Sequence, residues 1–138
     1  MLERRLIAAT RNIWCSLVGS IRTVQAWRER RQAIVEARKV RGIALLREWL
    51  TPEQKAQFEA SGYFDVIGCD TGRRYRVHHA RGTNVHEMDD AGRPLMGWCF
   101  VPSGELVVGD VMLAQKIALE TNERAALAVA NRFTIPSA

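Results

Sequence analysis

Two imidazoles and a thiol are the residues whose types could do metal chemistry. His79 and His86 flank the turn residues Arg81-Gly82-Thr83-Asn84, and Cys99 lies on the strand-like stretch that follows. If Gly82-Thr83 is a two-residue hairpin loop, counting back along the strands sets His79 opposite His86. Cys99 then sits on a neighbouring strand and Cys69 near the sheet edge. Neutral imidazole and thiolate are zinc ligands. The spacing matches no known zinc pattern, and strand histidines are more commonly packed side chains. Cys99 with His78 or His79 would supply a nucleophile and a base, but a thiol inside an apolar strand behaves as a small, inert hydrophobe. Glu87, Asp89 and Asp90 are the nearest carboxylates, and turn chemistry accounts for Asp89-Asp90. Arg73, Arg74, Arg76 and Arg81 around Tyr75 form a basic and aromatic patch of the kind that holds a phosphate and stacks a base. The chain has no Walker loop, GxGxxG or HExxH. No catalytic residue is assigned, no cofactor is expected, and the chain reads as non-enzymatic.

These residues need a sheet to position them. Tyr75, Val77 and His79 alternate with Arg74, Arg76 and His78, the period-two pattern of a strand with one covered face. Val85 to Asp89 reads as the return strand. The two-residue loop predicts a face of Tyr75, Val77, His79, His86 and Met88, and it leaves Val85 on the charged side. A slip of one residue would exchange the faces. Asp89 to Pro94 makes a second turn. Leu95 to Val101 is apolar on both sides and is expected to be the central, doubly covered strand.

Upstream, Thr51-Pro52-Glu53-Gln54 has the makings of a capping box with proline in the first turn, and Gly62 suits a left-handed stop. Tyr63 to Ile67 follows as a strand. Downstream, Leu106 to Val108 is expected to be a short strand, and Asp110 to cap a helix that breaks near Thr121-Asn122. A second helix then runs from Glu123 to Phe133. The expected fold is α+β: a long N-terminal amphipathic helix or two helices, an antiparallel meander of three or four strands, and a C-terminal helical pair.

The chain has 138 residues, one ordinary domain with room for an appendage. The expected division is a basic amphipathic helical segment over residues 1–50 and a small α+β domain over 51–138. Charge separates them. The first holds eleven Arg or Lys against four Glu, a net +7, and the second nine against eleven acidic residues, a net −2. Three cysteines without a CxxC pair argue against a disulfide framework and fit a reducing compartment, read as the cytoplasm. No apolar run is long enough for a transmembrane helix. The Arg-rich, acid-poor start imitates a targeting peptide, but it lacks a convincing cleavage site and is kept in the mature chain.

Ile7, Trp14 and Ile21 recur at seven-residue spacing, with Thr10, Leu17 and Val24 beside them in the a/d sense. The stripe fails at Arg28 and Arg31. Arg28, Arg30, Arg31, Arg38, Lys39 and Arg41 follow as a basic section, suited to a solvated face, a nucleic-acid backbone or an anionic membrane surface.

The residues LTPEQ at the start of the second segment, Gly62-Tyr63-Phe64-Asp65-Val66, Arg74-Tyr75-Arg76-Val77, Asn84-Val85 and DVMLAQKIALE from Asp110 to Glu120 resemble a small domain of uncharacterised bacterial and phage proteins. The resemblance covers residues 50–131. It rests on capping, turn and core positions, so it implies a shared fold and carries no activity. The expected function is an assembly or accessory module. Trp14, Leu17, Ile21 and Val24 would dock on another copy of the chain or on a larger protein. A nucleic-acid binder using the basic section is the rival, and a metal-binding protein at His79, His86 and Cys99 the third reading.

Overall fold

A computed structural model of the protein describes the backbone of residues 2–135 and the side chains of residues 19 and 21–135. The fold is α+β. Helix α1 (Leu2–Trp49) and helix α2 (Pro52–Ser61) precede strands β1 (Tyr63–Ile67), β2 (Arg74–His78), β3 (Val85–Met88) and β4 (Pro94–Cys99), and helix α3 (Val108–Val129) leads into strand β5 (Asn131–Phe133). The chain divides into two compact units, Met1–Ala37 and Arg38–Ala138.

The capping signal at Thr51 is realised as a closed box. The Gln54 N–H donates to Thr51 Oγ1 at 3.3 Å, and the Thr51 N–H donates to Gln54 Oε1 at 3.2 Å. Gly62 ends α2 with φ 71 and ψ 17, a conformation that costs a β-carbon-bearing residue dearly. The same helix secures the sheet edge. Gln54 Nε2 donates to the Asp65 carbonyl, and the Asp65 N–H donates to Gln57 Oε1, both at 2.9 Å. Two side-chain amides thus stand in for a strand neighbour beside β1.

The sheet is antiparallel, with five strands in sequence order where three or four were expected. The additional strand is β5, in a stretch read as helix. The helix stops at Val129, and Ala130 turns extended (φ −84, ψ 147). Leu106 and Val107 form no strand, and Val108 already opens α3. Val107 holds the N-cap position without a side-chain bond, while Asp110 lies in the first turn, where a carboxylate favours the helix dipole. The helix kinks at Asn122 (φ −156, ψ 60).

One sheet face carries the core. Phe64, Val66, Tyr75, Val77, Val85 and Trp98 pack with Met112, Leu113 and Leu119 of α3, Phe58 of α2, and Leu46 and Leu50 at the end of the first helical stretch. Truncating any of these to alanine costs about 2–5 kcal/mol. Gly42 and Gly109 let two backbones touch, since a β-carbon on Gly109 would overlap the Gly42 carbonyl. The sheet centre is β3, not β4. Trp98 of β4 is buried, but Leu95 and, just beyond the strand, Val101 stand exposed, so this segment is not covered on both faces. Among the described residues no helix is long and apolar enough to cross a membrane.

Candidate interaction surface and histidine face

From Ile21 to Arg41 the helix α1 is exposed at every position except the half-buried Ala26. Ile21 is 56% exposed and Val24 49%. Trp14 and Leu17, the other two residues expected on the stripe, lie outside the residues whose side chains are described. The exposed apolar set continues past Val24 with Trp27, Ile34, Val35 and Val40. At 100° per residue, Ile21, Val35, Val24, Trp27 and Ile34 share a sector of roughly 140°. Heptad reading stopped at Arg28 and Arg31 because both occupy seam positions. Arg31 nonetheless stacks its guanidinium 4.8 Å from the Trp27 ring centre. Arg28, Arg30, Arg31, Arg38, Lys39 and Arg41 are all exposed.

The hairpin register differs from the two-residue loop by three positions. Arg76 pairs with His86 and Val77 with Val85. His79 therefore falls beyond the ladder, and its ring packs 6.1 Å from Phe58. The loop is longer than expected because Asn84 is pulled inward. Its Nδ2 donates to the His78 and Ala80 carbonyls at 3.2 and 3.1 Å and to Gln115 Oε1 of α3 at 2.8 Å, and Gln115 Nε2 donates back to Asn84 Oδ1, also at 2.8 Å. Thr83 takes a positive φ of 50 to reach it. The repaired register buries Val85 fully beside Val77.

The side chains of the opposite sheet face form a row of rings across the strands. Tyr63 lies 5.6 Å from His78, His78 4.6 Å from His86, and His86 6.0 Å from Phe133. Arg76 stacks on Tyr63 at 4.1 Å and grips Asp65 through Nε at 2.8 Å and Nη2 at 3.0 Å. The Phe133 ring fills the space over Gly97, where a β-carbon would collide with it. Burial lowers the His78 imidazole's affinity for a proton, and His86 and Arg76 lower it further by repulsion. Burial also lowers His86, against the opposing bond to the Thr83 backbone, with Arg76 adding repulsion. His78 Nε2 is buried without a hydrogen-bond partner. The histidine that keeps company with His86 is thus His78, not His79. Among the described residues no group of three or more His, Cys, Asp or Glu side chains is arranged to hold a metal ion. Cys99 is a half-buried free thiol and Cys69 an exposed one.

A buried carboxylate that sequence reading did not single out organises the loop between β1 and β2. Glu123 Oε2 accepts from the Asp70 and Thr71 N–H groups at 2.8 Å, and Oε1 accepts from Thr71 Oγ1 at 2.5 Å and Tyr75 Oη at 2.7 Å. Burial pushes this carboxyl up, but the bonds from Thr71, Tyr75 and Asp70 outweigh it and leave the group below its ordinary range. Tyr75 is pushed up in turn, by burial first and then by Glu123. The Asp70 carboxylate accepts from the Arg124 N–H at 2.9 Å, so the loop caps the helical turn after the kink. Every acceptor of Glu123 is occupied from within, so it positions a loop rather than moves a proton.

A shallow groove of about 580 Å³ lies at the far end of the sheet, lined by Ile67, Arg73, Arg74, Glu87, Asp89 and Leu95 among others. Several of its charged side chains already have partners within the fold. Arg73 Nη1 pairs with Glu87 Oε1 at 2.7 Å, Arg74 Nη2 donates to the Asp89 carbonyl at 2.6 Å, and Asp89 Oδ2 accepts from Arg93 Nε at 2.8 Å. Arg73, Arg74 and Arg76 thus serve pairs within the fold, and Tyr75 points into the core. Comparison with protein-family models, with curated proteins and with solved structures found no match.

Proposed function

We propose that the protein is a non-enzymatic assembly module that pairs with a second copy of itself through α1. The observation that carries this reading is the wet apolar side of α1 at Ile21, Val24 and Trp27. Large side chains at helical spacing are normally covered, and an exposed apolar stripe marks an interaction surface.

The occupant follows from spacing and charge. The a/d pattern is self-complementary, and the flanking positions of the seam from Leu6 to Trp27 carry a single charge, Arg11. A parallel pair would set Arg28 against Arg28 and Arg31 against Arg31, which repels. An antiparallel two-fold pair with Trp14 against Leu17 sets Val24 against Ile7, Ile21 against Thr10, and Arg28 against Glu3. Antiparallel pairing also keeps the two basic stretches at opposite ends.

Sedimentation of the full chain at tens of micromolar tests this. A dimer is expected, unchanged between low and high salt, and reduced to monomer by Ile21→Asp with Val24→Asp. These positions are exposed, so the fold survives the change. A wild-type monomer overturns the proposal. Association that collapses with salt overturns it in favour of an anionic partner for Arg28, Arg30, Arg31, Arg38, Lys39 and Arg41.

A further inference from the structure

We infer that the His78 side chain is a proton-operated switch on the sheet face opposite the core. Neutral, it lies in the ring row between Tyr63 and His86; protonated, it turns out into water and opens that row. The packed position has no room for a charged ring. His78 Nε2 is closed to solvent and has no hydrogen-bond partner. An imidazolium carries N–H on both nitrogens, so protonation in place would set a charged donor where there is neither an acceptor nor water.

The surrounding charges act in the same direction. Tyr63 and Asp65 of β1, Arg76 of β2 and His86 of β3 face the ring. On this side β4 sets Gly97 and the Cys99 thiol, the thiol against Gly82, and β5 sets Phe133. Asp65 is the one attracting charge among them, and Arg76 already grips it through Nε at 2.8 Å and Nη2 at 3.0 Å. A proton on His78 therefore meets the Arg76 guanidinium and, once His86 is charged, a second imidazolium with its ring centre 4.6 Å away. Burial is the largest influence holding the proton off, followed by His86 and Arg76, and Asp65 opposes them weakly.

The cheapest relief is a side-chain rotation. His78 is half-buried, as are Tyr63, His86 and Phe133. Its main chain is fixed independently of the ring: the N–H donates to the Asn84 carbonyl at 2.8 Å, and the carbonyl accepts from Asn84 Nδ2 at 3.2 Å. The hydrophobic core packs on the other sheet face. The ring leaves while register and core stay in place, a local opening rather than a global one. The packed ring resists a proton that the unfolded chain takes up near 6.5, so its contribution to stability is whole above 6.5 and is lost as pH falls below it. Glu123 loses its contribution only below 4.5, which separates the two effects.

An NMR titration of the full protein from about pH 8 down to about pH 5 tests the switch. The His78 midpoint is expected below 6.5, with the Tyr63 ring signals moving in the same window and the Val77 and Val85 methyl signals holding still. His78→Phe keeps a ring in the row that takes no proton, so its Tyr63 signals should not respond there. In urea denaturation the wild type should lose its folded-to-unfolded ratio faster than His78→Phe, by up to about tenfold per pH unit. The wild-type titration needs no variant. A His78 midpoint at or above 6.5, Tyr63 signals indifferent to pH, or the same response in His78→Phe overturns the inference. Val77 and Val85 moving in step with Tyr63 overturns it as well, because the whole fold would then be yielding.

Discussion

Asn84 and Gln115 face each other through two reciprocal amide bonds, each 2.8 Å long, and both side chains are almost wholly buried. One amide lies at the end of the β2–β3 loop and the other on α3. The pair therefore fixes where the loop ends, and with it the hairpin register. Removing one member strands the other's donor and acceptor away from water. Gln115→Ala is expected to cost about 1–3 kcal/mol. Asn84→Ala should cost more, because it also releases the His78 and Ala80 carbonyls. Urea denaturation of the two variants and of their double mutant measures this, and the double mutant should lose less than the sum.

Glu123 offers a sharper contrast between variants. Glu123→Ala leaves two N–H groups and two hydroxyls facing a cavity and is expected to cost about 3–5 kcal/mol. Glu123→Gln should cost much less. Its carbonyl oxygen can take the Asp70 and Thr71 N–H bonds, while the Tyr75 and Thr71 hydroxyls turn to accept from its amide. Equal losses in the two variants, by thermal melting, would count against this assignment.

The same carboxyl sets an acid limit. It is held below its ordinary value of 4.5 in the folded chain, so the unfolded chain binds the proton more readily. Its contribution to stability is whole above 4.5 and drains away as pH falls from there through the lower folded value. The stability of Glu123→Gln, measured against pH, should fall less steeply across that window than the wild type.

Gly109 and Gly42 meet backbone to backbone. No rotamer change relieves a β-carbon there, because the obstacle is main chain. Gly109→Ala is expected to cost about 1–3 kcal/mol despite its better helix propensity. The change should appear as a lower denaturation midpoint with the cooperative transition retained.

A charge exchange tests the antiparallel register of the proposed dimer. Arg28→Glu should weaken association, and adding Glu3→Arg should restore it. Each like-charge contact at an exposed seam costs on the order of 1 kcal/mol at low salt. A parallel pair would show no such rescue in sedimentation.

The parts of the fold that sequence reading reached are those built from local chemistry. Thr51, Pro52, Gln54 and Gly62 announce α2 because capping needs only residues within one turn. Tyr63 to Ile67, and the Asp89 to Pro94 turn, were legible for the same reason. The hairpin register was not, because Asn84 answers to Gln115, a partner 31 residues away. That error put His79 beside His86, where the structure has His78. Strand β5 was missed because Asn131–Phe133 has no strand pattern of its own and is held by pairing with Gly97, Trp98 and Cys99. Glu123 looked like one more charge on a helix, since nothing nearby in sequence reveals the four donors that surround it.

Gln54 and Gln57 have a consequence beyond the packing of α2. By occupying the outward amide and carbonyl of Asp65, they deny that flank of the sheet to any stranger's extended peptide. Uncontrolled stacking of chain upon chain, the usual hazard of an open meander, has no foothold there. A Gln54→Ala, Gln57→Ala protein should turn cloudy on concentration well before the parent does.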